Sequence, residues 1–214
     1  MVIAVLGATG KVGRAFVSLA LAGGHQVRAL ARGSALRLPD GVQPVVGSAL
    51  DATAVRHLVA GSDAVVSVLG HGKDSPRDLQ AQAISLVIAA MKQEGIGRLV
   101  SVTGTGVPDR LDPPQPLPTR LETWLLEKAS PGRVSDGIAQ TALIRNSGLA
   151  WTVVRSPLML GWPSGRFIDG YFSVSPFAWV GRKDVAAFLL ACLDQESHLG
   201  EAPMIIHASA ARTS

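Results

Sequence analysis

Gly7-Ala8-Thr9-Gly10-Lys11-Val12-Gly13 follows a β-branched, apolar run, Val2-Ile3-Ala4-Val5-Leu6, and leads into an amphipathic stretch from Lys11 to Ala22. In a strand, a G-x-x-G-x-x-G turn and a helix in that order, each glycine has a separate task. Gly7 permits the sharp turn out of the strand, Gly10 lets a phosphate approach the backbone, and Gly13 lets the helix pack close to the sheet. The free amides at the helix start, at the positive end of its dipole, suit a pyrophosphate. An ordinary glycine-rich turn has the same residues, but the strand before it and the amphipathic helix after it favour a dinucleotide site.

Working outward, strands and helices alternate. Val2–Leu6, Gln26–Ala31, Pro44–Val46, Ala64–Leu69, Arg98–Thr103 and Trp151–Arg155 read as strands. Residues 11–22, 52–60, 76–94, 119–130 and 136–146 read as helices. The 76–94 segment has the clearest signals. Ser75 and Asp78 have capping-box spacing around Pro76, a stripe of Leu79, Ala83, Leu86, Val87, Ala90 and Met91 follows, and Gly95 ends it. Strands apolar on both faces, alternating with helices, predict an α/β fold: a Rossmann-type, doubly wound, mostly parallel sheet. The expectation is one domain over residues 1–214 with a short C-terminal extension on the substrate side.

Two stretches break the rhythm. Residues 107–118 hold five of the thirteen prolines, and residues 162–179 hold Trp162, Phe167, Tyr171, Phe172, Phe177 and Trp179. Both follow strands, where ligands of open parallel sheets bind, so substrate-side segments are expected at about 105–135 and 156–181.

Composition removes several classes of function. With 47% apolar and 17% charged residues, the 214-residue chain is not disordered. Its longest apolar run, Val185 to Leu193, is nine residues between two aspartates, so no membrane partner is expected. A net charge of +4 without a run of lysine or arginine argues against nucleic acid. The single cysteine, Cys192, excludes a disulfide framework and a cysteine-based zinc site. The opening residues lack a cationic leader and read as a strand, giving a cytoplasmic expectation.

The end of the second strand bears on the cofactor. Sites for NAD place an acid there, whereas Gln26-Val27-Arg28-Ala29-Leu30-Ala31-Arg32-Gly33-Ser34 carries none. Arg32 takes that place, and its guanidinium fork suits the 2′-phosphate of NADP(H), with Arg28, Ser34 and Arg37 as assistants. Solvated surface arginines are the alternative.

At this point the chain resembles the atypical short-chain dehydrogenases/reductases, and more narrowly the NmrA-like and biliverdin reductase B-like NAD(P)H-binding proteins. The likeness rests on GATGKVG, VRALARG, the strand ending Ser101-Val102-Thr103-Gly104, the segment SGLAWTVVRSP at 147–157, and Gly181-Arg182-Lys183-Asp184-Val185-Ala186. It implies that Thr9, Lys11 and Val12 line the pyrophosphate turn and that Arg32 takes the 2′-phosphate. It implies further that Ala49-Leu50 border the adenine, Leu69-Gly70 and Thr103-Gly104 the nicotinamide ribose, and Pro157-Leu158-Met159 the nicotinamide ring. For Leu50 and Leu158, plain core packing is an equal alternative.

One departure matters. The larger family uses a Tyr-x-x-x-Lys pair as proton donor. Here the lone tyrosine, Tyr171, is followed four residues on by Ser175, and the helix that would carry the pair reads Ser135-Asp136-Gly137-Ile138-Ala139-Gln140-Thr141. Thr103 and Thr105, at the fifth strand's end, are better placed to orient an acceptor oxygen or the nicotinamide amide; hydroxyls satisfied by a neighbouring loop are the equal alternative. The histidines at 25, 57, 71, 198 and 207 are scattered, so no metal is expected. His71, just past the fourth strand, is the one at the ligand edge, and an ordinary loop histidine is its other reading.

The resulting expectation is an NADPH-dependent reductase passing hydride to a planar small-molecule acceptor, such as a quinone or flavin, without that pair. Such a product is resonance-stabilised or takes its proton from water. The alternative is a non-catalytic NADP(H)-binding redox sensor of NmrA-like type. A homodimer is left open.

Overall fold

The computed structural model describes residues 1–33, 38–72, 74–115, 117–129, 132–161, 165–174 and 177–208. Five helices alternate with the first six strands: β1 (Val2–Leu6), α1 (Lys11–Ala22), β2 (Gln26–Ala31), β3 (Val42–Val46), α2 (Ala52–Val59), β4 (Ala64–Ser67), α3 (Leu79–Glu94), β5 (Arg98–Gly104), α4 (Leu117–Ala129), α5 (Arg133–Arg145) and β6 (Ala150–Ser156). Beyond them come β7 (Leu158–Leu160), β8 (Phe167–Gly170), β9 (Trp179–Gly181), α6 (Arg182–Asp194) and β10 (Met204–His207).

The main sheet runs β3-β2-β1-β4-β5-β6-β10-β8, parallel throughout except for β8 against β10. The chain leaves β1 toward β2 and β3, then returns to the other side of β1 at β4. This is the doubly wound, Rossmann-type arrangement, with its switch point between the carboxyl ends of β1 and β4. The register Ile3↔Ala64 through Leu6↔Ser67 brings those two ends level.

Strand periodicity divides the core. Ile3 and Val5 face one side with Val27, Val66, Val100 and Val154, under Phe16 and Val17 of α1 and Phe188 and Leu189 of α6. Ala4 and Leu6 face the other with Leu30, Val65, Leu99 and Val153, under α2, α3 and Ile144 of α5. The apolar run at 185–193 thus supplies the buried face of α6, through Val185, Ala186, Phe188, Leu189, Cys192 and Leu193. Among the described residues no helix is long and apolar enough to cross a membrane.

Several boundaries move from their expected places. β3 starts at Val42, two residues before Pro44, which occupies an outer strand where a missing N–H costs no ladder bond. β4 ends at Ser67 and α4 begins at Leu117. The capping box at Ser75 and Asp78 does not form. Ser75 Oγ instead accepts from the Gly72 amide (2.8 Å), and α3 begins only at Leu79 without a cap from Asp78. Its first amides are satisfied from α5, where Asp136 accepts from Gln80 N (2.7 Å) and Ala81 N (2.8 Å). Gly95, with φ at +70°, ends α3 as its sequence implies.

Candidate functional site

The glycine turn leaves no room for side chains. Gly7 has φ of +83°, and a Cβ there would lie 2.6 Å from the Val68 carbonyl oxygen at the exit of β4. A Cβ on Gly13 would meet the Gly7 carbonyl oxygen at 2.1 Å, and one on Gly10 would meet it at 3.1 Å. Gly13 therefore sets how closely α1 approaches the turn, and Gly10 keeps its mouth open. The Gly10 amide closes the turn onto Gly7 O (2.9 Å), and the Arg14 side chain braces it at Thr9 O (3.1 Å). α1 then starts with no side-chain cap and no acid in its first turn, in contrast to α2, which Asp51 caps. Its first amides, beside exposed Lys11 and half-buried Thr9 and Val12, offer an anion an uncontested positive end.

The other sequence-selected positions gather at the carboxyl ends of the strands around this turn. Arg32, just beyond β2, is exposed, and no carboxylate among the described residues pairs with it. Ser34 and Arg37 lie outside the described residues. Arg28 does not assist. It points from mid-β2 toward α2, where its guanidinium donates to the carbonyls of Ala60 and His57 and covers that helix end. Beyond β3, Leu50 is half-buried against the second core, with its amide on Ser48 Oγ (3.2 Å).

Past β4, Leu69 packs on the same core and its carbonyl accepts from Gln80 Nε2 (2.7 Å), while Gly70 is exposed with open space around it. At the end of β5, Thr103 is buried against Gly137 of α5, where an added Cβ would lie 2.5 Å from its Oγ1. Gly104 is exposed, and the Thr105 amide joins β5 to β6 through Ser156 O (3.1 Å). After β6, Pro157 is half-buried and Leu158 is 67% exposed, so core packing does not explain Leu158. Met159 packs against the first core.

One residue that sequence reasoning passed over organises the loop at 107–115. Arg155, next to last in β6, is completely buried. Its two terminal nitrogens each reach a different oxygen of Asp112 at 2.7 Å, one of them also reaches Val107 O at 3.0 Å, and Nε donates to Ala202 O at 2.7 Å. Asp109 adds an ion pair with Arg145, and Gln115 accepts from the Val174 amide at 3.1 Å. An arginine ending an otherwise apolar strand was the available signal. Its partner lies 43 residues earlier, beyond any local pattern.

The aromatic stretch is mostly structural. Phe167 meets Phe188 edge-on (5.9 Å between centroids), Trp179 stacks on His207 (4.2 Å), and Phe172 packs near Met204 and Ile206. Only Phe177, 90% exposed, stands out from the described part of it, and Trp162 lies outside the described residues. Tyr171 is committed as well. Its hydroxyl accepts from the Ala202 amide (2.9 Å), its ring lies under the Arg155 guanidinium, and burial pushes its ionisation upward.

No group of side chains able to hold a metal occurs among the described residues. His71 contacts Asp136, with Nε2 3.1 Å from Oδ2.

A family model described as NAD(P)H-binding matches residues 7–196. Among solved structures, a short-chain dehydrogenase/reductase from Veillonella parvula in complex with NADP superposes with a TM-score of 0.81 at 15% identity, covering 99% of this chain and 96% of that one. ChuY, an anaerobillin reductase from Escherichia coli O157:H7, superposes with a TM-score of 0.77 at 21% identity over 100% of both chains. An oxidoreductase from Lactococcus lactis gives 0.79 at 14% identity, covering 99% and 93%. At these identities the likeness is one of fold.

Proposed function

Because the chain belongs to the NAD(P)H-binding family, we propose that it is an NADPH-dependent reductase acting on a planar acceptor such as a quinone, a flavin or a bilin. The observation that carries this reading is an uncapped, glycine-lined α1 turn with an exposed arginine at the neighbouring strand end, Arg32, with which no carboxylate among the described residues pairs. The residues fit the cofactor. Amides of the 7–13 turn, with Thr9, Lys11 and Val12, would hold the pyrophosphate, and Arg32 the 2′-phosphate. Leu50 would border the adenine, Leu69, Gly70, Thr103 and Gly104 the nicotinamide ribose, and Pro157 with exposed Leu158 the nicotinamide ring.

When bound, NADPH supplies hydride, and the chain supplies position. The loop at 107–115, fixed by the Arg155–Asp112 fork, would bound the acceptor on one side, and Thr103 and Thr105 would orient its oxygen or the nicotinamide amide. Tyr171 supports a mechanism without the tyrosine–lysine pair, since its ring lies under the Arg155 guanidinium, its oxygen accepts from the Ala202 amide, and the residue four places on is Ser175, not lysine. Gly137 supports it too, because the face of α5 nearest Thr103 has no room for a side chain.

The test measures NADPH and NADH affinity by calorimetry, then NADPH oxidation against a panel of quinones, flavins, bilins and aldehydes. Tighter NADPH binding and turnover of a planar acceptor are expected. Equal affinities would refute the Arg32 assignment. Tight binding without turnover of any acceptor would make the protein a sensor of cofactor occupancy.

A further inference from the structure

His71 is the first side chain past β4 able to carry a proton, and two acceptors face one of its nitrogens. Nε2 lies 3.1 Å from Asp136 Oδ2 and 3.3 Å from the Arg77 carbonyl oxygen. A backbone carbonyl only accepts, so Nε2 carries the hydrogen in the neutral ring. Nδ1 is then the nitrogen that gains and loses a proton. It has no protein partner among the described residues, and the side chain is 14% exposed.

Asp136 is itself fixed. Its side chain is fully buried, and its two oxygens accept from the first amides of α3. The next residue, Gly137, lies against Thr103 at the end of β5. One turn of α5 therefore ties His71, at the exit of β4, to the strand end where an acceptor oxygen would be oriented. These two exits adjoin in the sheet.

On the reductase reading, on which this rests, we propose that His71 is the proton donor of the reaction and that Asp136 is its positioning residue. Hydride transfer brings the acceptor two electrons and one hydrogen. The Nδ1–H bond of the His71 imidazolium breaks, and an O–H or N–H bond forms on the acceptor heteroatom that received the electron pair. Water then returns a proton to Nδ1. The step requires no further oxidant or metal.

The experiment compares wild type, His71→Gln and His71→Ala with NADPH and one quinone or bilin that the wild type turns over. Calorimetry should find NADPH affinity altered by no more than roughly twofold, while kcat falls about a hundredfold or more, as for a lost general acid. Imidazole added to His71→Ala should restore part of kcat. A second readout needs no turnover. In histidine-labelled apo protein, 15N NMR, assigned with His71→Gln, should show His71 as the Nε2–H tautomer, and Asp136→Asn should release it to a mixture. Unchanged turnover in His71→Gln, or an Nδ1–H tautomer in the wild type, overturns the pair and leaves the reductase reading standing. NADPH binding without turnover of any acceptor overturns the reductase reading and the role of His71 with it.

Discussion

An arginine can recognise a 2′-phosphate only if its guanidinium is not already engaged; Arg32 pairs with no carboxylate among the described residues, whereas the Arg28 guanidinium is taken up by the backbone. Arg28 donates to two carbonyls near the end of α2, and nothing in the spacing of VRALARG distinguishes the two arginines. A charge-assisted bond to phosphate contributes about 1.5–3 kcal/mol, or roughly one to two decades in affinity. Arg32→Ala should therefore erase most of the NADPH preference and leave NADH affinity nearly unchanged, as read by calorimetry with both cofactors. Tyr171 makes the opposite prediction. Its hydroxyl accepts from the amide of fully buried Ala202. Tyr171→Phe should lower turnover less than about tenfold, whereas loss of a general acid costs about 10²–10⁴. The same substitution orphans a buried N–H and should lower unfolding stability by about 1–3 kcal/mol in a denaturant titration. A turnover loss of a hundredfold with intact stability would show that the phenol is a proton donor.

Helix ends show what local sequence conceals. The helical stripe at 79–91 follows from its 3.6-residue period, so the existence of α3 and its buried face were legible. Its start was not, because the capping acid, Asp136, is 56 residues away from Gln80 in the chain. The start of α5 is held the same way. Glu127 of α4 accepts from the amides of Gly132 (3.0 Å) and Val134 (2.9 Å) and from Ser135 Oγ (3.0 Å). Those bonds, led by the Gly132 amide, hold its carboxyl below the ordinary glutamate range. Glu127→Ala should cost about 1 kcal/mol at neutral pH, in the range of a lost N-cap, or less given its exposure to solvent. The sign follows from linkage. A carboxylate with a lowered folded value stabilises above its unfolded value, and the effect disappears as pH falls through the folded one. Urea titrations of wild type and Glu127→Ala should therefore converge in strongly acidic buffer. A difference that persists there would mean that packing, not charge, is what the substitution removes.

At the scale of the molecule, alternating strands and helices through Arg155 were enough to imply a sheet wound in both directions, and with it the switch point between β1 and β4. The closing strands were not legible. β8 and β10 are four residues each, and an aromatic-rich stretch with no clear alternation reads as irregular until Trp179, Phe167 and Phe172 find their partners across it. Because the turn, Arg32 and the ends of β4, β5 and β6 come from distant parts of the chain, a ligand that spans them should stabilise the whole fold. At a concentration about a hundredfold above Kd, NADPH should add about 2.7 kcal/mol. Scanning calorimetry should show a raised Tm with NADPH and a smaller rise with the same concentration of NADH; equal rises would mean that Arg32 confers no selectivity. The two outer strands carry a different consequence. β3 ends the sheet on one side with a proline in its middle, and β8 ends it on the other with four residues that include Asp169 and stop at Gly170. A proline lacks the donor another chain would need, and so short a charged strand gives little to align with. At both borders of the main sheet, then, the strand offered to a second copy is a poor template, which disfavours fibril growth from that sheet in the native state.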